Sequence, residues 1–280
     1  MKTETINIIK SSGEKATFSI EKLRRSLEHS GADQKTINET IGKVSSELYP
    51  GMSTKQIYNR AFALLKKKKN HWASKYKLKK AIYELGPTGF PFERFIGALL
   101  KHSGYKTEVG ITIPGKCVSH EIDVIAEKNN KSILVECKFH NEKGINCNVK
   151  VPLYINSRYN DVKANWHANQ ENRSQLSKAW VVTNTRFTQD AINYGECANL
   201  YLLSWDYPKN NSLKHRIDHL GLYPITVSTI LNKREKQFLL NRDIVLCRAL
   251  IGDTFYLDHL GISENRKNKI MTEIKMLCTK

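Results

Sequence analysis

The stretch HEIDVIAEKNNKSILVECK, residues 120–138, decides the fold of the central part of the chain. Apolar and β-branched residues alternate with polar ones on both sides of Asn129-Asn130. This pattern predicts two antiparallel strands joined by a two-residue type I′ turn. In such a hairpin Asp123 and Glu136 are directly opposed, and their side chains share one face of the sheet. The other face, which carries aliphatic residues, is predicted to lie in the core.

Two opposed carboxylates repel each other, so a purely structural hairpin avoids this arrangement. A divalent cation removes the repulsion, because Mg²⁺ binds carboxylates together with water and phosphate oxygens. Lys138 falls on the same face, where it can orient an attacking water or neutralise charge on a phosphate. Asp123, Glu136 and Lys138 therefore predict a site for phosphodiester hydrolysis that uses Mg²⁺ or Mn²⁺. The open alternative is a solvated ladder in which Glu121 and Lys138 form an ordinary cross-strand pair.

These residues, with a preceding amphipathic helix, resemble the PD-(D/E)xK nuclease superfamily, specifically its Mrr-like restriction endonuclease branch. The matching residues are Phe92-Glu93-Arg94-Phe95, Gly104-Tyr105, Glu121-Ile122-Asp123-Val124 and Val135-Glu136-Cys137-Lys138. The resemblance implies that Asp123 and Glu136 bind the metal and that Lys138 is the catalytic lysine. It also implies that Glu93 is the helix acid which some members use for a second metal. Ile122 stands where the superfamily's name has proline, a common substitution in this branch.

The residues after this hairpin complete the predicted domain. A helix, a strand, a second helix and a second strand predict the parallel part of a mixed sheet. The first of these helices follows Pro152 and carries Arg158. We expect Arg158 to contact a phosphate, and a surface pair with Asp161 is the open alternative.

Residues 1–88 predict a β-hairpin followed by four helices, because short apolar strands flank a turn and apolar residues then recur at helical spacing. Two pieces of this segment, residues 8–13 and 18–22, are similar to the opening of the ATP-cone domain of ribonucleotide reductases and their repressors. That resemblance implies a β-hairpin over a helical bundle that binds ATP or dATP as an allosteric effector.

Individual residues carry this second resemblance. Lys10 and Lys22 fall on the ATP-cone's phosphate-contacting lysines. Thr54 and Tyr58 fall where the family places further nucleotide contacts. Ser11-Ser12 replaces the family's Arg-Asp pair. A degenerate cone that serves only in dimerisation or DNA binding therefore stays open.

Composition limits the remaining choices. The chain has 280 residues with 45 Lys and Arg against 27 Asp and Glu, a formal net charge of +18. A basic excess of this size favours a polyanionic partner, here DNA, over a merely solubilising surface. The six cysteines are scattered without CxxC pairs, as is typical of reduced cytoplasmic proteins. Only short apolar runs are present, so we expect no membrane span, and the first residues do not resemble a signal peptide.

The sequence thus predicts an α/β multidomain protein with three segments. These are an ATP-cone regulatory domain at 1–88, an Mrr-like nuclease domain at 89–222 with a mixed sheet flanked by helices, and a small helical domain at 223–280. We expect a metal-dependent endodeoxyribonuclease regulated by ATP or dATP and acting as a homo-oligomer. By analogy with restriction enzymes, we expect its context to be defence against foreign DNA. The alternatives are a non-catalytic nucleotide-sensing DNA-binding protein, or a nuclease for RNA or branched DNA.

Overall fold

The structure, a computed structural model, describes the chain in four stretches. These are residues 6–10, 12–142, 144–166 and 174–279. Ser11 lies outside the described residues. The chain forms two compact units, named here the helical unit and the sheet unit. The helical unit lies within residues 1–81, 227–236 and 250–279, and the sheet unit within residues 82–226 and 237–249. The division predicted from the sequence, with boundaries after residues 88 and 222, stays a prediction.

The helical unit opens with the predicted hairpin, in which β1 (Asn7–Ile9) pairs antiparallel with β2 (Lys15–Thr17). The helices that follow along the chain are α1 (Ile20–His29), α2 (Gln34–Ser46), α3 (Thr54–Lys68), α4 (Asn70–Tyr76) and α5 (Leu78–Tyr83). Ser53 and Gln56 form the capping box that begins α3. The fourth predicted helix is divided at Lys77 into α4 and α5.

The sheet unit contains the predicted mixed sheet flanked by helices. Within the described residues its strands are, in spatial order, β3 (Lys106–Pro114), β4 (Ser119–Lys128), β5 (Lys131–Lys138), β7 (Gln175–Thr183) and β9 (Tyr201–Leu203). A separate small sheet pairs β6 (Asn146–Cys147) with β8 (Arg186–Phe187). The helices are α6 (Phe90–His102), α7 (Lys150–Asn165), α8 (Gln189–Cys197) and α9 (Leu213–Leu220). β3, β4 and β5 are antiparallel, whereas β5, β7 and β9 are parallel.

The turn between β4 and β5 has the predicted conformation. Asn129 and Asn130 have φ angles of 52° and 58°, and a type I′ turn requires positive values at both positions. The predicted register holds from this turn as far as Val124, which pairs with Val135. The turn therefore sets which residues of the two strands meet at the far end of the hairpin.

Further helices follow the sheet. They are α10 (Lys233–Leu240), α11 (Ala249–Gly252), α12 (Phe255–His259) and α13 (Glu264–Cys278). Within the small helical domain predicted over 223–280, α10 ends at Leu240, and Asp243 shortly after it has a φ of 65°. Within the helical unit α13 packs against α4. Among the described residues, no helix combines the length and the apolar character needed to cross a membrane.

Candidate active site

Asp123 and Glu136 lie just beyond the last paired residues of β4 and β5. Asp123 and Glu136 are therefore not paired in the ladder between β4 and β5, although the sequence predicts that they are directly opposed. Instead, Asp123 Oδ2 accepts a hydrogen bond from the backbone N–H of Cys137 at 2.6 Å. The two acids are still near each other, because Asp123 contacts the backbone of the residue next to Glu136. The charge of Asp123 accordingly contributes to the raised pKa of Glu136. The structure thus brings the predicted acid pair together, with a different backbone arrangement.

The ladder between β3 and β4 is also interrupted at Asp123. The pairs on either side form, whereas Gly110 and Asp123 are unpaired. Gly110 has a φ of +66°, a left-handed conformation that glycine adopts without a side-chain penalty. Asp123 therefore lies at a local break in both of its ladders.

Glu136 is buried at the end of β5 and is held by an arginine from α7. Arg158 Nη1 donates to Glu136 Oε2 at 2.9 Å, and Arg158 Nη2 donates to the backbone carbonyl of Glu121. Arg158 is therefore engaged with Glu136, whereas Asp161 accepts a hydrogen bond from the loop before β4. Glu136 Oε1 is buried and has no hydrogen-bond partner among the described residues. An unpartnered buried carboxylate oxygen is uncommon, and a bound cation would account for it.

Burial and mutual repulsion raise the pKa values of these acids. Burial, followed by the charge of Asp123, raises the pKa of Glu136 to about 8 against the opposing effect of Arg158. Burial also raises the pKa of Asp123, although its backbone hydrogen bond opposes this shift. Burial, with smaller effects from Asp123 and Glu121, raises the pKa of Glu93 to about 7. With these pKa values, Glu136 and Glu93 hold protons near neutral pH, and they would release them when a cation binds.

Glu93 reaches this acid cluster from the first turn of α6. Gly89, the residue before the helix, makes room for its side chain, because a Cβ at Gly89 would lie 2.8 Å from Glu93 Oε1. The charge of Glu93 also contributes to the raised pKa of Glu136. The structure thus brings Glu93 near the acid pair formed by Asp123 and Glu136.

Lys138 is the last residue of β5 and is exposed. His140, which we did not predict from the sequence, lies close by: burial and then the charge of Lys138 lower its pKa. Asn184 holds the His140 backbone, since its Oδ1 accepts the His140 N–H and its Nδ2 donates to the His140 carbonyl, both at 2.8 Å. His140 Nε2 is buried without a hydrogen-bond partner in the part of the chain that is described. Its spacing of two residues from Lys138 is the signal that could have identified it.

The donor set fits a hard cation better than a transition metal. Across the described residues, no group of three or more His, Cys, Asp or Glu is placed to hold a metal ion. Mg²⁺ does not need such a cage, because one or two carboxylates with water and phosphate oxygens suffice. Asp123 and the unpartnered oxygen of Glu136 meet that requirement.

The residues expected to contact a nucleotide come together in the helical unit. Lys10, Lys22, Thr54 and Tyr58 line one cavity of about 270 Å³. The ring of Tyr58 stacks on that of Tyr76, another lining residue, with the ring centroids 5.1 Å apart. The cavity thus combines two ammonium groups with an aromatic wall.

Two known families match the chain. The restriction endonuclease family matches residues 87–206, which include the acid cluster and Lys138. A family described as AF1548-like, C-terminal, matches residues 223–278. Neither match covers residues 1–86. The first match supports nuclease activity with DNA as substrate, and domains of this kind generally use divalent metals.

Comparisons with individual proteins and with solved structures each find a relative that matches over most of its own length. An uncharacterized protein of Archaeoglobus fulgidus is 30% identical over 178 residues, which are 63% of this chain and 96% of the relative. A crystal structure described as a protein of unknown function, AF1548, has a TM-score of 0.55 at 28% identity and covers 68% of this chain and 98% of that chain. The chain therefore belongs to the family of this Archaeoglobus fulgidus protein, with a restriction endonuclease domain and an AF1548-like C-terminal domain.

Proposed function

We propose that this protein is a metal-dependent endodeoxyribonuclease that hydrolyses phosphodiester bonds in DNA. The observation that carries the proposal is the buried Glu136 beside Asp123, with one carboxylate oxygen lacking a partner among the described residues. Burying acids together destabilises a fold, so such a cluster is a candidate functional site. The restriction endonuclease match over the same residues supports this assignment.

Asp123 and Glu136 would hold Mg²⁺ or Mn²⁺, and the nearby Glu93 would add to the negative charge that attracts the cation. When bound, the metal supplies Lewis-acid polarisation of the scissile phosphate and lowers the pKa of bound water. Lys138, exposed two residues beyond Glu136 on β5, would orient the attacking water and donate to the phosphate oxygens where negative charge develops. Arg158 fixes the orientation of Glu136 through its hydrogen bond to Oε2.

Nicking of a supercoiled plasmid tests this proposal. The wild type is expected to nick DNA with Mg²⁺ or Mn²⁺ and not with EDTA. Asp123→Asn, which keeps the side-chain shape, is expected to lower the rate by at least about 100-fold, the size typical of an essential electrostatic group. Glu108→Gln is the matched control, since Glu108 is exposed on β3 of the same sheet. A wild type that gives no metal-dependent product would refute the proposal, and cleavage of RNA or branched DNA alone would reassign the substrate.

We also propose that ATP or dATP binds the cavity lined by Lys10, Lys22, Thr54 and Tyr58. Two lysines beside a hairpin suit a triphosphate, and the tyrosine ring suits a base. An effector regulates only if it binds two states of the protein differently. We therefore expect ATP or dATP to change either the cleavage rate or the state of a homo-oligomer. A role in defence against foreign DNA in the cytoplasm rests on analogy with restriction enzymes.

Calorimetric titration of the full chain tests the nucleotide site. ATP is expected to bind the wild type, and Lys22→Gln is expected to weaken binding by at least about tenfold, the loss of one charge-assisted contact. Lys43→Gln, on an exposed position of α2, is the control. Equal ATP affinities for both variants would show that the cavity is not the nucleotide site.

A further inference from the structure

A basic groove in the helical unit belongs to neither of the sites above. It has a volume of about 500 Å³ and lies against the end of α3, the start of α4 and one face of α13. Lys68 and Lys69 lie on one side of the groove, and Asn268, Lys269 and Thr272 lie on the other. The lining is therefore rich in side chains that donate hydrogen bonds.

The side chains from α13 form a continuous stripe. Asn265, Asn268, Lys269 and Thr272 follow the spacing i, i+3, i+4 and i+7, so they share one helix face. All four are exposed. A stripe of this kind presents amide, ammonium and hydroxyl groups along about two turns of helix.

The acid in the groove, Glu273, does not neutralise its lysines. Glu273 is buried, and its oxygens accept hydrogen bonds from Ser74 Oγ at 2.7 Å and Ser228 Oγ at 2.6 Å. They also accept from the backbone N–H and the hydroxyl of Thr229. Neutral groups thus satisfy the carboxylate, and they fasten α13 to α4 and to the segment that contains residues 228 and 229.

The lysines of the groove remain largely available to an external anion. Lys68 Nζ pairs with Glu39 at 2.8 Å, but this pair is exposed. Lys69 lies 4.4 Å from the ring centroid of Trp72. Neither Lys69 nor Lys269 forms an ion pair with a described residue. Exposed pairs exchange readily with other anions, because they are individually weak.

The helical unit also carries most of the positive charge. Its sequence ranges hold 25 Lys and Arg against 12 Asp and Glu, an excess of 13 out of the chain's 18. The sheet unit, where the acid cluster lies, holds an excess of only 4, and Lys280 accounts for the last positive charge. A duplex needs a surface that neutralises several phosphates at once, and the helical unit is the better candidate.

We propose that this groove docks the sugar–phosphate backbone of duplex DNA, an inference that rests on the proposed nuclease function. Ammonium, amide and hydroxyl groups are the donors that contact phosphates without reading sequence. The ring in the lining, His71, packs edge-on against Trp72 with centroids 5.7 Å apart. The groove therefore suits a backbone better than a stacked base.

Fluorescence anisotropy of a labelled duplex of about 20 base pairs tests the proposal, with the full chain in EDTA so that metal-dependent cleavage does not interfere. The groove variant combines Lys68→Gln, Lys69→Gln and Lys269→Gln. The control combines Lys35→Gln, Lys43→Gln and Lys275→Gln, exposed lysines of the same unit. Both variants lose the same charge, so only the position of the lysines differs.

The groove variant is expected to bind at least about tenfold more weakly than the control, and its slope of log affinity against log salt is expected to be shallower by about 2 to 3. Equal affinities and slopes for the two variants, with a wild type that binds and cuts DNA, would overturn the groove alone. A wild type that binds no DNA would overturn both the groove and the proposed function. Loss of affinity confined to an RNA duplex would assign the groove to RNA and also overturn the proposal.

Discussion

Replacing Glu136 by glutamine is expected to stabilise the metal-free protein relative to the wild type as the pH rises from 5 to 7. Burial beside Asp123 raises the pKa of Glu136 from an ordinary value of 4.5 to about 8. Between these values the unfolded chain loses the proton while the folded protein keeps it, so the stability of the wild type falls with rising pH. Glutamine does not titrate, so the variant lacks this loss.

The two pKa values set the size of the effect. For a single site they give a loss of about 2.5 kcal/mol between pH 5 and pH 7, at about 1.36 kcal/mol per pKa unit. Because Glu136 titrates together with Asp123 and Glu93, we expect a measured change of about 2 kcal/mol. The altered hydrogen bond with Arg158 contributes at both pH values and therefore largely cancels in the comparison.

Urea unfolding in EDTA, followed by tryptophan fluorescence at pH 5, 6 and 7, measures this difference. Glu108→Gln serves as the control, because the side chain is exposed on the same sheet and its replacement is expected to have a small effect at every pH. A difference between the wild type and Glu136→Gln that stays constant with pH would show that the buried carboxyl is not its source. That result would refute the reasoning.

Three further predictions concern the same site. Affinity for Mn²⁺ is expected to rise between pH 6 and pH 8, by up to about tenfold per pH unit for each proton released, because Glu93 and Glu136 must lose protons. Calorimetry in two buffers measures the affinity and the number of protons released, and an affinity that does not change with pH would contradict the prediction. Gly89→Ala places a Cβ 2.8 Å from Glu93 Oε1 and is expected to slow plasmid nicking with little change in the free energy of unfolding. An unchanged nicking rate would argue against a role for Glu93. Asn184→Ala removes both hydrogen bonds to the His140 backbone and is expected to reduce the free energy of unfolding, measured in urea, by about 1–3 kcal/mol. A change below about 0.5 kcal/mol would contradict a stabilising role for these two hydrogen bonds.

The hairpin at the site could be predicted from the sequence because its determinants are local. Asn129 and Asn130 fix the turn, and the turn fixes the register as far as Val124. Period-two alternation then indicates which acids are near each other. Predicting that Asp123 and Glu136 lie close together therefore requires only these roughly twenty residues.

The rest of the site depends on contacts between distant parts of the chain. Arg158 reaches Glu136 from α7, and Asn184 holds His140 from beyond β7. Neither contact follows from spacing, because it depends on how helices and strands pack. The break at Gly110 is a different case. The glycine is visible in the sequence, but its effect on Asp123 in the next strand requires the pairing of β3 with β4.

The acid cluster also explains why the charge of the chain is unevenly distributed. A site that gathers Glu93, Asp123 and Glu136 offers no positive charge to the phosphates of DNA until a cation is bound, so it contributes little to initial binding. Affinity must then come from positive groups elsewhere, which need no acids beside them. The excess of 13 in the helical unit against 4 in the sheet unit follows this division. Binding that persists in EDTA and weakens with salt would come from the groove, whereas cleavage would depend on the acids, so the two contributions can be separated by experiment.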